Sequence, residues 1–168
     1  IDLLNCVKKI RTKKLICCAG LQSDRLVMQS GLQSDVKIIP FKGTYFYLNK
    51  DKSNVFNKLI YPTPDLETPF LGIHFTKHIN GSISLGPSAS LSLSREGYNG
   101  FALNIKDSVD TLFYKGFWKF LIKQKKFIVN EAMIAIFKLL YLRQCKKFYD
   151  GISISDIQYS KCGIRAQA

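Results

Sequence analysis

The pair Asn80-Gly81 constrains the fold more than any other feature of the sequence. Apolar and polar residues alternate on both sides of it, in residues 71–76 and 82–86, as expected for two strands joined by a tight type I′ turn. Successive side chains of a strand point to opposite faces, so the predicted hairpin has one packing face and one small, polar face. The packing face carries Leu71, Ile73, Phe75, Ile83 and Leu85. The polar face carries Gly72, His74, Thr76, Ser82, Ser84 and Gly86.

Short apolar segments predict further strands before the hairpin. They cover residues 14–18, which end in a glycine turn, residues 36–39, which are stopped by Pro40, and residues 44–48. Residues 22–29 predict a short helix between the first two strands. The adjacent Cys17 and Cys18 lie in the first strand and are expected to be buried as small apolar side chains.

After Gly97 the apolar residues recur with a helical period, which predicts two helices following the sheet. The first stripe contains Val109, Leu112, Phe113, Phe117, Phe120 and Leu121, and the second contains Met133, Ile136, Phe137, Leu140 and Tyr141. Strands followed by helices predict an α+β fold, with a mixed or antiparallel sheet and appended helices.

The chain has 168 residues, 46% of them hydrophobic and 22% charged, which fits one folded domain and argues against general disorder. Its net charge of +13 attracts polyanions without choosing among them. We expect no nucleic-acid function. The helical lysines either lie against an acidic membrane surface or form a solvated face: Lys115, Lys119, Lys123, Lys125, Lys126, Lys138, Lys146 and Lys147.

The cysteines Cys6, Cys17, Cys18, Cys145 and Cys162 are odd in number and lack the spacing of a zinc site, so we predict no metal and a reducing compartment. No targeting signal is visible. Residues 127–142 are too short and too often interrupted by polar residues to span a membrane, and they predict a core-packing helix. The expected location is cytoplasmic, or mitochondrial in a eukaryote, with peripheral attachment to the inner membrane as an alternative.

Several blocks of sequence fall in the order of one known family. They are Cys18-Ala19-Gly20-Leu21-Gln22-Ser23-Asp24-Arg25, Ile39-Pro40-Phe41-Lys42-Gly43-x-Tyr45, Ile60-Tyr61-Pro62-x-Pro64, Pro69-Phe70-Leu71-Gly72-Ile73-His74-Phe75-Thr76, Gly86-Pro87-x-Ala89, Arg95-Glu96-Gly97-Tyr98 and Gly163-Ile164-Arg165-Ala166-Gln167-Ala168. Their succession resembles the L-2-hydroxyglutarate oxidases and dehydrogenases, which belong with D-amino acid oxidase among the FAD-dependent flavoproteins. Lys42 stands where that family usually has arginine, and Ser88 where it usually has asparagine.

The resemblance implies a division into three segments. Residues 1–34 would be a remnant of the edge of a Rossmann-type FAD domain, 35–162 the substrate-binding domain, and 163–168 a return toward the FAD domain. The sequence contains no G-x-G-x-x-G segment of the kind that holds an FAD pyrophosphate. We therefore expect an internal fragment of such an enzyme, which alone binds FAD weakly or not at all.

The resemblance also implies site residues. Arg165, in a Gly-x-Arg segment, would bind a substrate carboxylate, with Lys42 and Tyr45 as further substrate-binding residues. His74 would be the catalytic base, and a structural histidine within the sheet is the alternative. The backbone of two segments would approach the flavin: Ala19, Gly20 and Leu21, and Gly86 with Pro87.

The implied reaction is oxidation of L-2-hydroxyglutarate to 2-oxoglutarate by hydride transfer to FAD, with a quinone or oxygen as electron acceptor. One alternative keeps the flavoprotein scaffold and changes the substrate to an amino acid or glycerol 3-phosphate. Another is a non-catalytic basic module that binds anionic lipid or nucleic acid through its lysines.

Overall fold

The computed structural model describes residues 11–64, 68–98, 102–160 and 162–168; Cys6 and most of the first 13 residues lie outside them. A 3₁₀ turn, Gly20–Gln22, precedes the first helix. The helices are α1 Ser23–Gln29, α2 Lys50–Ser53, α3 Ile105–Leu112, α4 Lys115–Lys123, α5 Lys125–Ile136 and α6 Lys138–Lys146. The strands are β1 Ile39–Leu48, β2 His74–Lys77, β3 Ile83–Leu91, β4 Ile157–Tyr159 and β5 Gly163–Gln167.

The five strands form one sheet in the order β2-β3-β1-β4, and β5 also pairs with β1. Every strand pair is antiparallel. The predicted α+β fold with an antiparallel sheet and appended helices is thus confirmed. β4 and β5 share one side of β1, where Phe46 pairs with Tyr159 and Phe41 pairs with Arg165.

The predicted packing face of the hairpin is buried. Ile73, Phe75, Ile83 and Leu85 are all 5% exposed or less and pack with Tyr141 of α6 in the larger apolar cluster. Each fully buried side chain of this size contributes roughly 1.5–3 kcal/mol relative to an exposed one. A second cluster lies at the other end of β1, around Phe41, Phe70 and Phe117.

The hairpin differs from the prediction in its turn and its length. Gly81 N donates to His78 O, and His78 N donates to Ser82 O, so the loop has three residues with a positive φ at Gly81, and the predicted two-residue type I′ turn is wrong. β2 begins at His74 rather than at residue 71. Pairing stops there because His74 is opposite Gly86, and the next residue of β3, Pro87, has no N–H to donate.

β1 runs through Pro40 from Ile39 to Leu48, so it contains the predicted strand 44–48 but only the last residue of the predicted strand 36–39. The Pro40 carbonyl accepts from Ser92 N, on the side of β3. The N–H and C=O of one strand residue point to the same side, so the N–H that Pro40 lacks would also point toward β3, beyond its last paired residue. The hydrogen bonds between β1 and β5, on the opposite side, are therefore unaffected. The prediction that Pro40 stops a strand was therefore wrong.

The predicted strand at residues 14–18 is also wrong. These residues have no regular structure, Ile16 is 86% exposed, and both Cys17 and Cys18 are exposed. An apolar segment forms a strand only where a neighbouring strand supplies hydrogen bonds and cover. No strand in the described part of the chain pairs with this segment.

Residues 105–146 form four helices rather than the two predicted. The chain leaves the helical conformation at Tyr114 (ψ 116°) and Phe137 (ψ 105°), and a further break at Gln124 separates α4 from α5. The apolar period continues across these breaks although the helix axis changes, so the predicted stripes are not continuous packing faces. Phe117 and Tyr141 are buried, whereas most other members are at least partly exposed: Val109, Leu112, Phe113, Met133, Ile136 and Phe137.

Residues 127–142, predicted as one core-packing helix, are divided between α5 and α6, with Ile134, Tyr141 and Leu142 buried. No helix in the described residues has the length and apolar character needed to cross a bilayer. Within the same residues, no three His, Cys, Asp or Glu side chains are grouped as a metal site would require.

Candidate functional site

A cavity of about 220 Å³ lies where β1, β3 and β5 meet. Its walls are Phe41, Lys42, Gly43, Tyr45, Phe70, Leu71, Pro87, Ser88, Ala89, Gly163, Ile164 and Arg165. The pairing of β5 with β1 places Gly163 opposite Gly43 and Arg165 opposite Phe41. Together with the pairing of β3 and β1, this pairing places predicted site residues of three strands around one cavity: Lys42 and Tyr45 of β1, Pro87 of β3 and Arg165 of β5.

The Arg165 guanidinium lies over the ring of Phe70, with its central carbon 5.1 Å from the ring centroid. Such a contact is worth roughly 0.5–1 kcal/mol at an exposed site and uses none of the N–H donors. No ion pair joins Arg165 to a carboxylate among the residues that the structure describes. Its donors can therefore bind an anion in the cavity.

Tyr45 is half-buried on the cavity wall. Burial raises the pKa of its phenol, while the charge of Arg165 acts in the opposite direction. The hydroxyl consequently stays protonated and can donate a hydrogen bond. Lys42, on the neighbouring residue pair of β1 and β5, is a further cationic residue of the cavity lining.

His74 lies outside the cavity lining, at the start of β2. Its ring is stacked on Tyr61 at a centroid distance of 4.5 Å, and Nδ1 is 3.2 Å from the carbonyl oxygen of Gly72. A carbonyl only accepts, so Nδ1 carries the proton and Nε2 of the neutral ring keeps its lone pair. Burial lowers the pKa of His74, the Gly72 hydrogen bond raises it, and the charge of Arg165 lowers it further, with a net decrease. His74 and Arg165 are thus close enough to interact electrostatically.

Gly86 and Pro87 form a bulge of β3 opposite Tyr45. Gly86 has a φ of +132°, and a Cβ at this position would lie 2.7 Å from the Tyr141 hydroxyl oxygen and 2.9 Å from the Thr44 carbonyl oxygen. The fold itself therefore requires glycine here. Pro87 packs against the backbone of Gly43, because a Cβ added at Gly43 would be only 2.8 Å from the Pro87 Cβ.

The turn at Ala19, Gly20 and Leu21 does not line the cavity. Gly20 has a φ of +50°, and a Cβ built on it would meet no atom within 4 Å. The space beside this backbone is open, which is the condition that a closely approaching ligand needs. The Leu21 carbonyl is fixed from the other side by a hydrogen bond from Arg95.

A buried charge cluster fixes this turn, and sequence reasoning assigned it no role. Arg95 is 2% exposed and donates to both carboxylate oxygens of Asp24 and to the Ile38 carbonyl. Burial opposes ionisation of Asp24, but hydrogen bonds from Arg95 and the Ile38 N–H outweigh it, so the pKa of Asp24 lies below its ordinary value. Arg25 binds Asp107 and Asp110 of α3 at 2.6 and 2.7 Å. The only signal in the sequence was that Asp24, Arg25 and Arg95 fall in the blocks that carry the resemblance, whereas Asp107 and Asp110 lie outside these blocks.

Glu131 of α5 binds the backbone of β3 on the side that faces β2. Its carboxylate accepts from Ala89 N at 3.0 Å, beyond the end of β2, where no strand of the described residues supplies an acceptor. Burial raises the pKa of Glu131, and the hydrogen bond from Ala89 partly offsets the increase. α5 is therefore held against the strand that forms one wall of the cavity.

Comparison with known proteins assigns the chain to a group. A family model described as FAD dependent oxidoreductase matches residues 4–168. The chain is 41% identical over 160 residues to the mitochondrial L-2-hydroxyglutarate dehydrogenase of Caenorhabditis elegans, covering 95% of this chain and 37% of that protein. It is 39% identical over 161 residues to the mitochondrial enzyme of Mus musculus, covering 96% and 35%. It is 39% identical over 158 residues to the L-2-hydroxyglutarate dehydrogenase of Indibacter alkaliphilus, covering 94% and 40%. The chain thus spans a little over a third of the length of these relatives.

Proposed function

The chain belongs to the FAD dependent oxidoreductase family, and from this membership we propose that it supplies the substrate cavity of an enzyme that oxidises L-2-hydroxyglutarate to 2-oxoglutarate. The observation that carries the proposal is the cavity itself, which places Arg165, Lys42 and Tyr45 around one space. L-2-hydroxyglutarate has two carboxylates, and two cationic side chains with a phenolic donor match that charge and hydrogen-bonding capacity.

We assign the residues as follows. Arg165 binds one carboxylate through its planar fork, and Lys42 neutralises the other. Tyr45 donates a hydrogen bond that orients the substrate. When bound, FAD supplies the acceptor for the hydride that leaves C2. The hydroxyl proton passes to Nε2 of His74, whose lowered pKa keeps the ring neutral and able to accept it.

One observation in particular indicates that the residues present can accommodate a flavin. Gly20 combines a positive φ with open space beside its backbone, so a dinucleotide can approach the turn at Ala19, Gly20 and Leu21. We propose that this turn contacts FAD, and that Gly86 and Pro87 bring a second backbone segment toward the ring. By contrast with Gly20, the space at Gly86 is filled by the chain's own atoms.

We also propose the domain division expected from the sequence. Residues 1–34 would form the edge of a Rossmann-type FAD domain, 35–162 the substrate domain, and 163–168 the return. The pairing of β5 with β1 supports a continuous connection, because Arg165 reaches the cavity from the return segment. A quinone or oxygen would reoxidise the flavin. In a eukaryote the enzyme would be mitochondrial, as the names of the animal relatives state for those proteins.

The test is substrate-dependent reduction of flavin in the complete gene product. Purified protein supplied with FAD should develop flavin absorbance, and anaerobic addition of L-2-hydroxyglutarate should bleach it. D-2-hydroxyglutarate, L-glutamate and glycerol 3-phosphate are the matched panel, since each changes the configuration, the group at C2 or the anion. Bleaching by glutamate or glycerol 3-phosphate alone would replace the substrate assignment, and failure to bind flavin would reject the proposal.

A further inference from the structure

Tyr61 lies directly opposite His74 in a short additional pairing beside β2. Ile60 N donates to Phe75 O and Phe75 N donates to Ile60 O, so these two residues form an antiparallel bridge. The next residue of one segment then faces the preceding residue of the other, which sets Tyr61 against His74 at a non-hydrogen-bonded position, where side chains come closest. The two rings are accordingly stacked, with their planes 20° apart.

The local sequence holds Tyr61 in this place. Pro62 restricts the preceding residue to an extended conformation, which suits a pairing segment. Pro62 also lies beside Gly72, since a Cβ added at Gly72 would be 3.6 Å from the Pro62 Cγ. The Gly72 carbonyl is in turn the partner of His74 Nδ1. Tyr61 and Pro62 therefore lie against both the imidazole ring and the backbone segment that supplies its acceptor.

The other neighbour of His74 cannot fix the ring. On the side of β3, His74 pairs with Gly86, which has no side chain to place against it. Tyr61 is 48% exposed, so it covers the ring without belonging to the apolar core. It is also near the cavity: burial raises the pKa of Tyr45, Arg165 lowers it, and Tyr61 raises it further.

We propose that Tyr61 is a positioning residue for the base, holding the His74 ring in the plane in which Nδ1 donates to the Gly72 carbonyl and Nε2 keeps its lone pair for the substrate hydroxyl proton. The inference rests on the proposed function, in which His74 takes that proton. A ring that rotates about its Cβ–Cγ bond loses the Gly72 hydrogen bond, which sets the tautomer. A misplaced base slows proton transfer, while the carboxylates of the substrate still find Arg165 and Lys42.

Kinetics of the complete gene product test the positioning. Tyr61→Ala should lower kcat at least about tenfold and change KM for L-2-hydroxyglutarate by less than about twofold. Tyr61→Phe keeps the stacked ring and should restore kcat to within about twofold of wild type. Tyr61→Leu is apolar without a ring; it should resemble Tyr61→Ala, and it decides the question if circular dichroism shows Tyr61→Ala to be unfolded. Tyr47→Ala is the control, because it removes another partly exposed tyrosine, whose ring lies 6.1 Å from that of His78, and it should behave as wild type.

NMR of the His74 ring provides a readout that a merely structural role would not move. The ring signals are assigned by their absence in His74→Gln. Burial is the main cause that lowers the pKa of His74, so uncovering the ring in Tyr61→Ala should raise this pKa toward its ordinary value, whereas Tyr61→Phe should not. Arg165, whose charge also acts on the ring, is present in all these variants. Nitrogen chemical shifts should show the Nδ1–H tautomer in wild type and Tyr61→Phe, and a mixture of tautomers in Tyr61→Ala.

Two outcomes would overturn the inference. A wild-type His74 titration and tautomer in both Tyr61→Ala and Tyr61→Leu would show that the stacked ring does not hold the imidazole. A loss of kcat in Tyr61→Phe equal to that in Tyr61→Ala would assign the effect to the hydroxyl instead of the ring. Failure of the proposed function has a different signature, because His74→Gln would then keep wild-type turnover. If this inference alone fails, His74→Gln is slow and Tyr61→Ala is as fast as wild type.

Discussion

Arg95 and Arg165 lie in the same fold, but their guanidinium groups meet different surroundings. Arg95 is 2% exposed, and its donors bind both oxygens of Asp24 as well as the Leu21 and Ile38 carbonyls. Arg165 is exposed at the cavity, and its guanidinium lies over the ring of Phe70. The charge of Arg95 is therefore used by the fold, whereas the charge of Arg165 remains for a ligand.

This difference separates structural from functional residues without reference to conservation. A buried charge is stable only when the chain supplies its counter-charge, so Arg95 and Asp24 depend on each other in the folded state. A cation that keeps its donors beside a cavity contributes little to the fold. Such a side chain contributes free energy only in the complex, when the carboxylate of a ligand pairs with it.

The largest expected effect is on stability at Arg95. Arg95→Met leaves Asp24 buried without its partner, and we expect the free energy of unfolding to fall by roughly 3–5 kcal/mol. Urea denaturation followed by circular dichroism measures it. Arg143→Met removes an exposed arginine of α6 and should change stability by no more than about 0.5 kcal/mol. If both variants unfold at the same urea concentration as wild type, Arg95 does not have the structural role assigned to it.

Arg165→Ala should give the opposite pattern. Loss of a carboxylate partner typically costs about 2–5 kcal/mol, so we expect turnover or affinity for L-2-hydroxyglutarate to fall at least about a hundredfold. The unfolding free energy should change by less than about 0.5 kcal/mol. Steady-state kinetics and urea denaturation of the same preparations check both halves. Arg165→Lys, which keeps the charge and loses the planar fork, should fall between wild type and alanine. Wild-type kinetics for Arg165→Ala would remove Arg165 from the site.

Gly86 and Gly20 extend the comparison to the room that the fold leaves for a Cβ atom. In Gly86→Ala the new Cβ would lie 2.7 Å from the Tyr141 hydroxyl oxygen, whereas in Gly20→Ala it would meet nothing within 4 Å. We expect Gly86→Ala to lose roughly 2–3 kcal/mol of unfolding free energy, and Gly20→Ala only about 1–2 kcal/mol, from its positive φ. In flavin titrations Gly20→Ala should weaken FAD binding. If Gly20→Ala is the less stable of the two, the turn is packed by more of the protein than is described.

The sequence was sufficient for features that depend on neighbouring residues. Alternation identified the buried face of the hairpin. The resemblance, rather than a local pattern, implied that Arg165 and Tyr45 belong to one site, and both residues line the cavity. Features that depend on distant residues could not be obtained in this way. Asp24 and Arg95 are 71 positions apart, and no local pattern shows that they pair.

The errors have a common physical origin, because local signals do not report which neighbour a segment will have. Pro40 lies within a strand because its missing N–H faces a place where β3 has ended. Residues 14–18 have the composition of a strand but no strand beside them in the described chain. The helical period across residues 105–146 continued through Tyr114 and Phe137, where the backbone turns.

The smallest expected effect tests whether Arg165 and His74 act on each other. The charge of Arg165 is one of the causes that lower the pKa of His74, so Arg165→Gln should raise that pKa toward the ordinary value. An NMR titration of the His74 ring measures the shift without any need for catalytic activity. Because the neutral ring is the base, a higher pKa would also move the acidic limb of the activity profile to higher pH.

Arg143→Gln is the control for this titration, since Arg143 is not among the charges that act on His74. It should leave the His74 titration as in wild type. If Arg165→Gln also leaves it unchanged, the two side chains are not coupled, and a base that shares one substrate with Arg165 must be sought among the residues that line the cavity. If the pKa rises only in Arg165→Gln, the cation that the fold leaves without a carboxylate also helps to keep His74 neutral, which ties the two proposed catalytic residues to one electrostatic environment.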